Sequence, residues 1–276
     1  MLKSNKTLIS ILLIIYFISF SYAQVTISPT SIFIDNQRRF ETLLVLNSTD
    51  DPQEVTISYS FGYSLSDSYG NLTMNYTDTE QGAKYSAAEW IKGFPKSFVI
   101  EPGKRQVVRL TAKPPNDLAD GTYWARLKTV STNLTPPVGE TQKDKITAQI
   151  NFRFEQVMGV FYKTGSVATG LEIQDIRNDI IDGILMVYAD VKKTGNSPYL
   201  GSILLKISDL SGKQIKKERI FISVYFDGTR RIETDISDLA AGAYDVEVSF
   251  ITKRDDIPDE NLVQTKPVSQ SFRFSK

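Results

Sequence analysis

Ile146-Thr147-Ala148-Gln149-Ile150-Asn151-Phe152-Arg153-Phe154-Glu155 is the most regular stretch of the chain: apolar side chains at 146, 148, 150, 152 and 154 alternate with polar ones. A helix would space its apolar residues three and four apart, so a period of two makes this a strand with one apolar and one polar face. The same texture runs in both directions from it. Ile32-Phe33-Ile34, Leu43-Leu44-Val45-Leu46 and the alternate Val55, Ile57, Tyr59 and Phe61 read as the first strands. Residues 94–100 read as one strand, Val107-Val108-Arg109-Leu110 as the next, and Tyr123, Ala125 and Leu127 as alternate members of another.

Between these runs lie turn residues. Glu101-Pro102-Gly103-Lys104 suits a type II turn, because proline sets the first φ and glycine tolerates the positive one after it. Residues 62–88, rich in Ser, Tyr, Asn, Asp, Thr and Gly, read as a long exposed loop or a frayed hairpin. The small, polar residues 163–170 mark a boundary. Beyond them, residues 185–191, 203–207, 220–225, 232–236, 244–250 and 269–274 are six strands, with turns at Ser211-Gly212, Asp227-Gly228 and Ala241-Gly242. Many short strands punctuated every 8 to 12 residues predict an all-β chain of two tandem immunoglobulin-like β-sandwiches following a cleaved signal peptide. The expected domains are 1–23 (signal peptide), 24–163 and 164–276.

The leader is read from its own physics. Lys3 and Lys6 supply a positive start, residues 8–20 are apolar apart from Ser10 and Ser19, and Ser21-Tyr22-Ala23 offers small residues for cleavage before Gln24. An apolar run this short falls below the roughly 20 residues of a membrane-crossing helix, so no membrane span is expected after cleavage. The chain of 276 residues contains neither cysteine nor histidine. That removes thiol nucleophiles, disulfides, imidazole bases and the usual zinc ligands; no enzyme activity, metal or cofactor is expected. Equal numbers of basic and acidic residues, 32 each, give no overall field to attract nucleic acid, and a nucleic-acid partner is not expected.

Ile100-Glu101-Pro102-Gly103-Lys104-Arg105-Gln106-Val107-Val108-Arg109-Leu110 resembles a hairpin of the periplasmic pilus chaperones, the PapD-like family. The likeness extends back to Val25-Thr26-Ile27-Ser28-Pro29-Thr30-Ser31-Ile32-Phe33 and forward through Tyr123-Trp124-Ala125-Arg126-Leu127 to Val160-Phe161-Tyr162; Asn196-Ser197-Pro198-Tyr199 is similar to the opening of the family's second domain. The resemblance implies a periplasmic chaperone that lends a strand to an incomplete protein client, a pilin or other surface subunit. Ile146, Ala148, Ile150, Phe152 and Phe154 would be the partner-binding strand. Pattern alone leaves a second reading open, that these residues face the chain's own core. The family holds its client's terminal carboxylate with a basic pair, but the matching positions here are Ser31 and Gly159. Arg153 and Lys163 are the nearby candidate carboxylate anchors. The missing pair motivates the alternative of an exported structural or adhesion protein, at the cell surface or secreted, that uses the sandwiches as a scaffold.

Three weaker signals remain. Asp255-Asp256-Ile257-Pro258-Asp259-Glu260 offers oxygens to calcium but lacks the spacing of a binding loop, which favours a solvated turn. Asn47, Asn71, Asn75 and Asn133 each open a glycosylation pattern, which would place them on the surface. Trp90, Trp124 and the tyrosines could stack on sugars, though packing inside a sandwich accounts for them more simply.

Overall fold

The structure, a computed structural model, describes residues 25–134 and 152–276. The expected leader and Ile146, Ala148 and Ile150 lie outside the described residues.

The first half contains β1 (Val25–Ser28), β2 (Ser31–Asp35), β3 (Phe40–Asn47), β4 (Gln53–Ser60), β5 (Tyr63–Ser66), β6 (Leu72–Asn75), helix α1 (Thr79–Tyr85), β7 (Ile91–Phe94), β8 (Ser97–Ile100), β9 (Arg105–Ala112), β10 (Gly121–Asn133) and β11 (Arg153–Thr164). The second half contains β12 (Thr169–Ile181), β13 (Ile184–Gly195), β14 (Tyr199–Ser208), β15 (Gln214–Val224), β16 (Gly228–Asp235), β17 (Ala243–Ile251) and β18 (Val268–Ser275). A sheet ordered β1-β3-β9-β7 faces one ordered β2-β11-β10-β4-β8, and in the second half β12-β13-β16 faces β15-β14-β17-β18. These are two β-sandwiches in tandem, as the alternation predicts.

Each sandwich closes over its own core, and the period of two decides which residues enter it. Leu43 and Val45 of β3, Val55 and Ile57 of β4, Val108 and Leu110 of β9, and Ala125 and Leu127 of β10 meet in the first core. Leu185 and Val187 of β13, Leu205 and Ile207 of β14, and Val246, Val248 and Phe250 of β17 meet in the second. Burial of each large side chain of this kind contributes about 1.5–3 kcal/mol, which holds both halves without a disulfide.

The sheets also revise several expectations. Residues 94–100 are two strands rather than one: β7 hydrogen-bonds to β9 and β8 to β4, in opposite sheets. Pro95, which has no N–H to give a ladder, stands at the crossover. The turn at 101–104 has the expected form, with Lys104 N donating to Glu101 O at 3.0 Å and Gly103 at φ 67°. It links strands of opposite sheets, however, and so is a corner rather than a hairpin. Residues 62–88 are ordered as the β5–β6 hairpin followed by α1, whose N-cap Asp78 accepts from Gln81 N.

Asn47 is not a surface residue. It is fully buried, and its Nδ2 donates to Asp51 O and Ile100 O while its Oδ1 accepts from Thr49 N and Oγ1. Its backbone O accepts from Gly103 N, which ties the end of β3 to the corner. Glycosylation there is incompatible with this fold. Asn47→Ala orphans several buried partners at once and is expected to cost about 2–4 kcal/mol. Urea unfolding checks this, and a loss below 1 kcal/mol would mean that water replaces the amide.

Candidate functional site

β11 serves two surfaces in turn. On one side it pairs with β10 along its whole length, from Arg153 opposite Thr132 to Thr164 opposite Gly121. On the other it pairs in parallel with β2, and only over Gly159 to Lys163. Residues 153–158 therefore lie at a sheet edge, with no second neighbour among the described strands. Such an edge presents free main-chain donors and acceptors to any strand that can align with it.

The side chains follow the same division. Met158, Val160 and Tyr162 are buried in the first core. Phe154 shares their parity but is only half-buried, and Phe152 is 55% exposed. The two rings stack on each other, with centroids 6.0 Å apart and planes 20° apart. From Met158 onward the alternate side chains of β11 face the first core, whereas Phe152, just before the strand, is exposed.

Arg153 and Lys163 do not form one site. Ten residues of extended strand set them about 33 Å apart. Arg153 Nη2 lies 2.7 Å from Glu155 on an exposed face. Lys163 sits where the two sandwiches meet: its Nζ donates to Asn261 O at 3.1 Å and lies 5.5 Å from the centroid of the Phe33 ring. Burial lowers its pKa, and Asp35 opposes the shift.

Ser31 and Gly159, the positions of the missing basic pair, are partners in the β2–β11 register. A Cβ on Gly159 would come within 2.7 Å of the Phe161 ring, and Arg126 Nη1 lies 3.6 Å from the same point. Arg126, opposite Gly159 on β10, therefore brings a cation to the place where residue 159 cannot. Its Nε donates to Gly62 O at 2.9 Å and its guanidinium lies 5.0 Å from the Tyr225 centroid. No carboxylate pairs with it among the described residues. In the sequence, Arg126 shares its parity with Trp124, which puts both on the face of β10 turned away from the first core.

Around these cations the sandwiches share a third apolar cluster. Trp124 and Phe161 of the first half pack with Leu200, Tyr225, Ile257 and Leu262 of the second. Tyr225 is fully enclosed there, and burial raises its pKa against the opposing pull of Arg126 and Arg254. Polar contacts fix the approach: Asn196 Nδ2 donates to Asp120 O and Ser166 O, and the Thr122 and Ser197 hydroxyls lie 2.8 Å apart. Gly165 occupies the bend at φ 61°, where a Cβ would fall 1.7 Å from Asp120 Oδ1. The β5–β6 hairpin adds a brace, since Arg230 Nη1 donates to Ser66 Oγ and Arg231 Nη1 to Tyr69 O.

The acidic stretch at 255–260 is partly neutralised by arginines: Arg219 pairs with Asp255 and Arg254 with Asp256. Trp90 packs tilted against Tyr123 and edge-on to Tyr162, and Trp124 stacks on Tyr85, so both tryptophans are engaged in packing. Among the described residues, no helix is long and apolar enough to cross a membrane.

No family model matches the chain, and neither does any curated protein. Solved structures of chaperones are similar to it over most of its length. One is CsuC, in the pre-assembly complex with the tip subunit CsuE from the archaic chaperone-usher Csu pili of Acinetobacter baumannii; it is 14% identical over 90% of this chain and 98% of that one, with a TM-score of 0.44. The SafB chaperone of Salmonella enterica, solved with the SafA pilin, is 15% identical over 90% and 96%, with a TM-score of 0.45. The E. coli chaperone DraB is 14% identical over 92% and 97%, with a TM-score of 0.40.

Proposed function

We propose that this chain is a periplasmic, PapD-like chaperone that caps a protein client, a pilus-like or other surface subunit, by lending it the strand that begins in the alternating stretch and continues into β11. The observation that carries the proposal is the edge at residues 153–158, which has no second neighbour among the described strands and carries half-buried Phe154 stacked on the exposed ring of Phe152. Strand addition needs this combination: main-chain groups supply affinity, and alternate apolar side chains fill the client's open groove. Ile146, Ala148 and Ile150 extend the same parity and are assigned to the same strand. The first domain is assigned to residues 24–163, the second to 164–276, and residues 1–23 to export. Chemistry at the site is non-covalent; the chain acts by binding.

The client's terminal carboxylate is assigned to the junction, with Arg126 as principal anchor and Lys163 as the second cation. Arg126 is the better fit because it is half-buried, lacks a carboxylate partner among the described residues and carries a fork matched to a carboxylate. Arg153, ion-paired at the far end of β11, is assigned no part in it. A charge-assisted hydrogen bond is worth about 1.5–3 kcal/mol. Arg126→Gln is therefore expected to weaken binding of the partner that co-purifies with the wild-type chain by roughly 10- to 100-fold. Isothermal calorimetry measures this, and unchanged affinity in a folded Arg126→Gln protein would remove the anchor.

A further inference from the structure

The outward face of the β1-β3-β9-β7 sheet differs from the outward faces of the other described sheets of the two sandwiches. Its register places twelve side chains on that face. Five are apolar: Phe40, Leu44 and Leu46 of β3, Val107 of β9 and Phe94 of β7. Three are cations: Lys92, Arg105 and Arg109. The remaining four are serine or threonine, and none is acidic. Phe94 is 80% exposed and Val107 50%. Arg109 lies over the Phe40 ring at 4.5 Å, and none of the three cations is ion-paired among the described residues.

The other three sheets of the two sandwiches carry charge of both signs, held in pairs, and the two-stranded β5–β6 sheet carries no charge. Lys128 pairs with Glu155 on the β10–β11 face, Lys206 with Glu247 and Arg273 with Asp245 on the sheet of β14, β17 and β18, and Arg231 with Glu233 on β16. An ordinary solvated sheet face looks like those three. A face with an apolar strip, cations of one sign and no acid instead complements a surface that is apolar beneath and anionic above.

We infer that this face docks on an anionic lipid surface. Three occupants compete, and magnitudes separate them. The four strands hold 24 residues, and at about 3.3 Å by 4.8 Å for each they give a patch of roughly 380 Å², short of the about 800 Å² per partner that a stable protein interface needs. A second copy related by a two-fold axis would set cations against cations. A bilayer has no minimum footprint, and each basic side chain at an anionic surface contributes about a fivefold gain in partitioning. Three cations together give roughly 100-fold, and the exposed rings of Phe94 and Phe40 add apolar contact. The inference does not depend on strand donation, because residues 153–158 lie in the opposite sheet.

The test is flotation of the full chain, as purified from cells, with vesicles of 3:1 phosphatidylethanolamine and phosphatidylglycerol, beside vesicles of phosphatidylcholine alone. Binding to the anionic vesicles, its loss on phosphatidylcholine and in 0.5 M NaCl, and a drop of roughly 100-fold for Lys92→Gln/Arg105→Gln/Arg109→Gln would support it. Phe94→Ser should weaken binding further, and Lys206→Gln, on another face, should leave it unchanged. Equal binding by the triple variant, or none to anionic vesicles, would overturn the inference. So would capture by an immobilised Glu/Leu amphipathic peptide without vesicle binding, which would reassign the face to an acidic protein.

Discussion

Trp124→Ala is expected to destabilise the chain by about 3–5 kcal/mol and to divide its unfolding into two transitions. Trp124 is 2% exposed. It stacks on Tyr85 at 5.1 Å, lies 4.9 Å from Tyr225 of the second half, and donates from Nε1 to Gly62 O at 3.1 Å. Its removal leaves a cavity bordered by Phe61 and Tyr85 of the first half and by Tyr225 and Phe226 of the second. The main cores, centred on residues such as Leu43 and Leu205, lie elsewhere. The damage should therefore fall on the coupling between halves more than on either half. Differential scanning calorimetry reads both effects; a single transition shifted by less than about 2 °C would mean that Asn196 and the β5–β6 hairpin hold the junction without the cluster.

The second large effect concerns binding rather than stability. Phe152→Lys/Phe154→Lys should leave the chain folded, since one ring is more than half exposed and the other half-buried. It should weaken partner capture by at least 100-fold, because burying two large apolar side chains contributes about 3–6 kcal/mol. The contrast is Met158→Lys, placed in the core four residues further on, which should fail to fold. Capture from the native envelope, with circular dichroism as the fold control, separates these. Full capture by the folded double variant would return the strand to a purely structural role.

Much of this architecture is legible from residue parity. Strands with one face in a core announce themselves, and β3, β4, β10 and β17 fall where Leu43, Val55, Ala125 and Val246 predict. The strand the sequence did not reveal, β12, is buried only over its first residues. It carries exposed Glu172 and Asp175 and has a register shift between Ile173 and Asp175. An edge strand with a bulge and a solvated outer half has no alternation to read. Residues 62–88 read as a loop or a frayed hairpin, and the β5–β6 hairpin found there is fixed by what the local sequence does not show, its rest on the second sandwich through arginines far away in the chain.

At the proposed partner strand, the sequence shows an alternation and its parity but not what covers it. Period two reports that a side chain is sheltered, whereas the short reach of β2 along β11 decides that residues 153–158 remain an edge. The role proposed for Arg126 is not legible locally, because it depends on the absence of a side chain at Gly159 across the register, a relation between neighbouring strands that no local motif encodes.

The most direct test of strand donation is amide hydrogen exchange, comparing the free chain with the complex it forms with its co-purified partner. Slowed exchange at residues 153–158 on complex formation, with the β2-paired residues 159–163 unchanged, is the predicted result. Exchange at 153–158 that is the same in both states, while the partner remains bound, would contradict it.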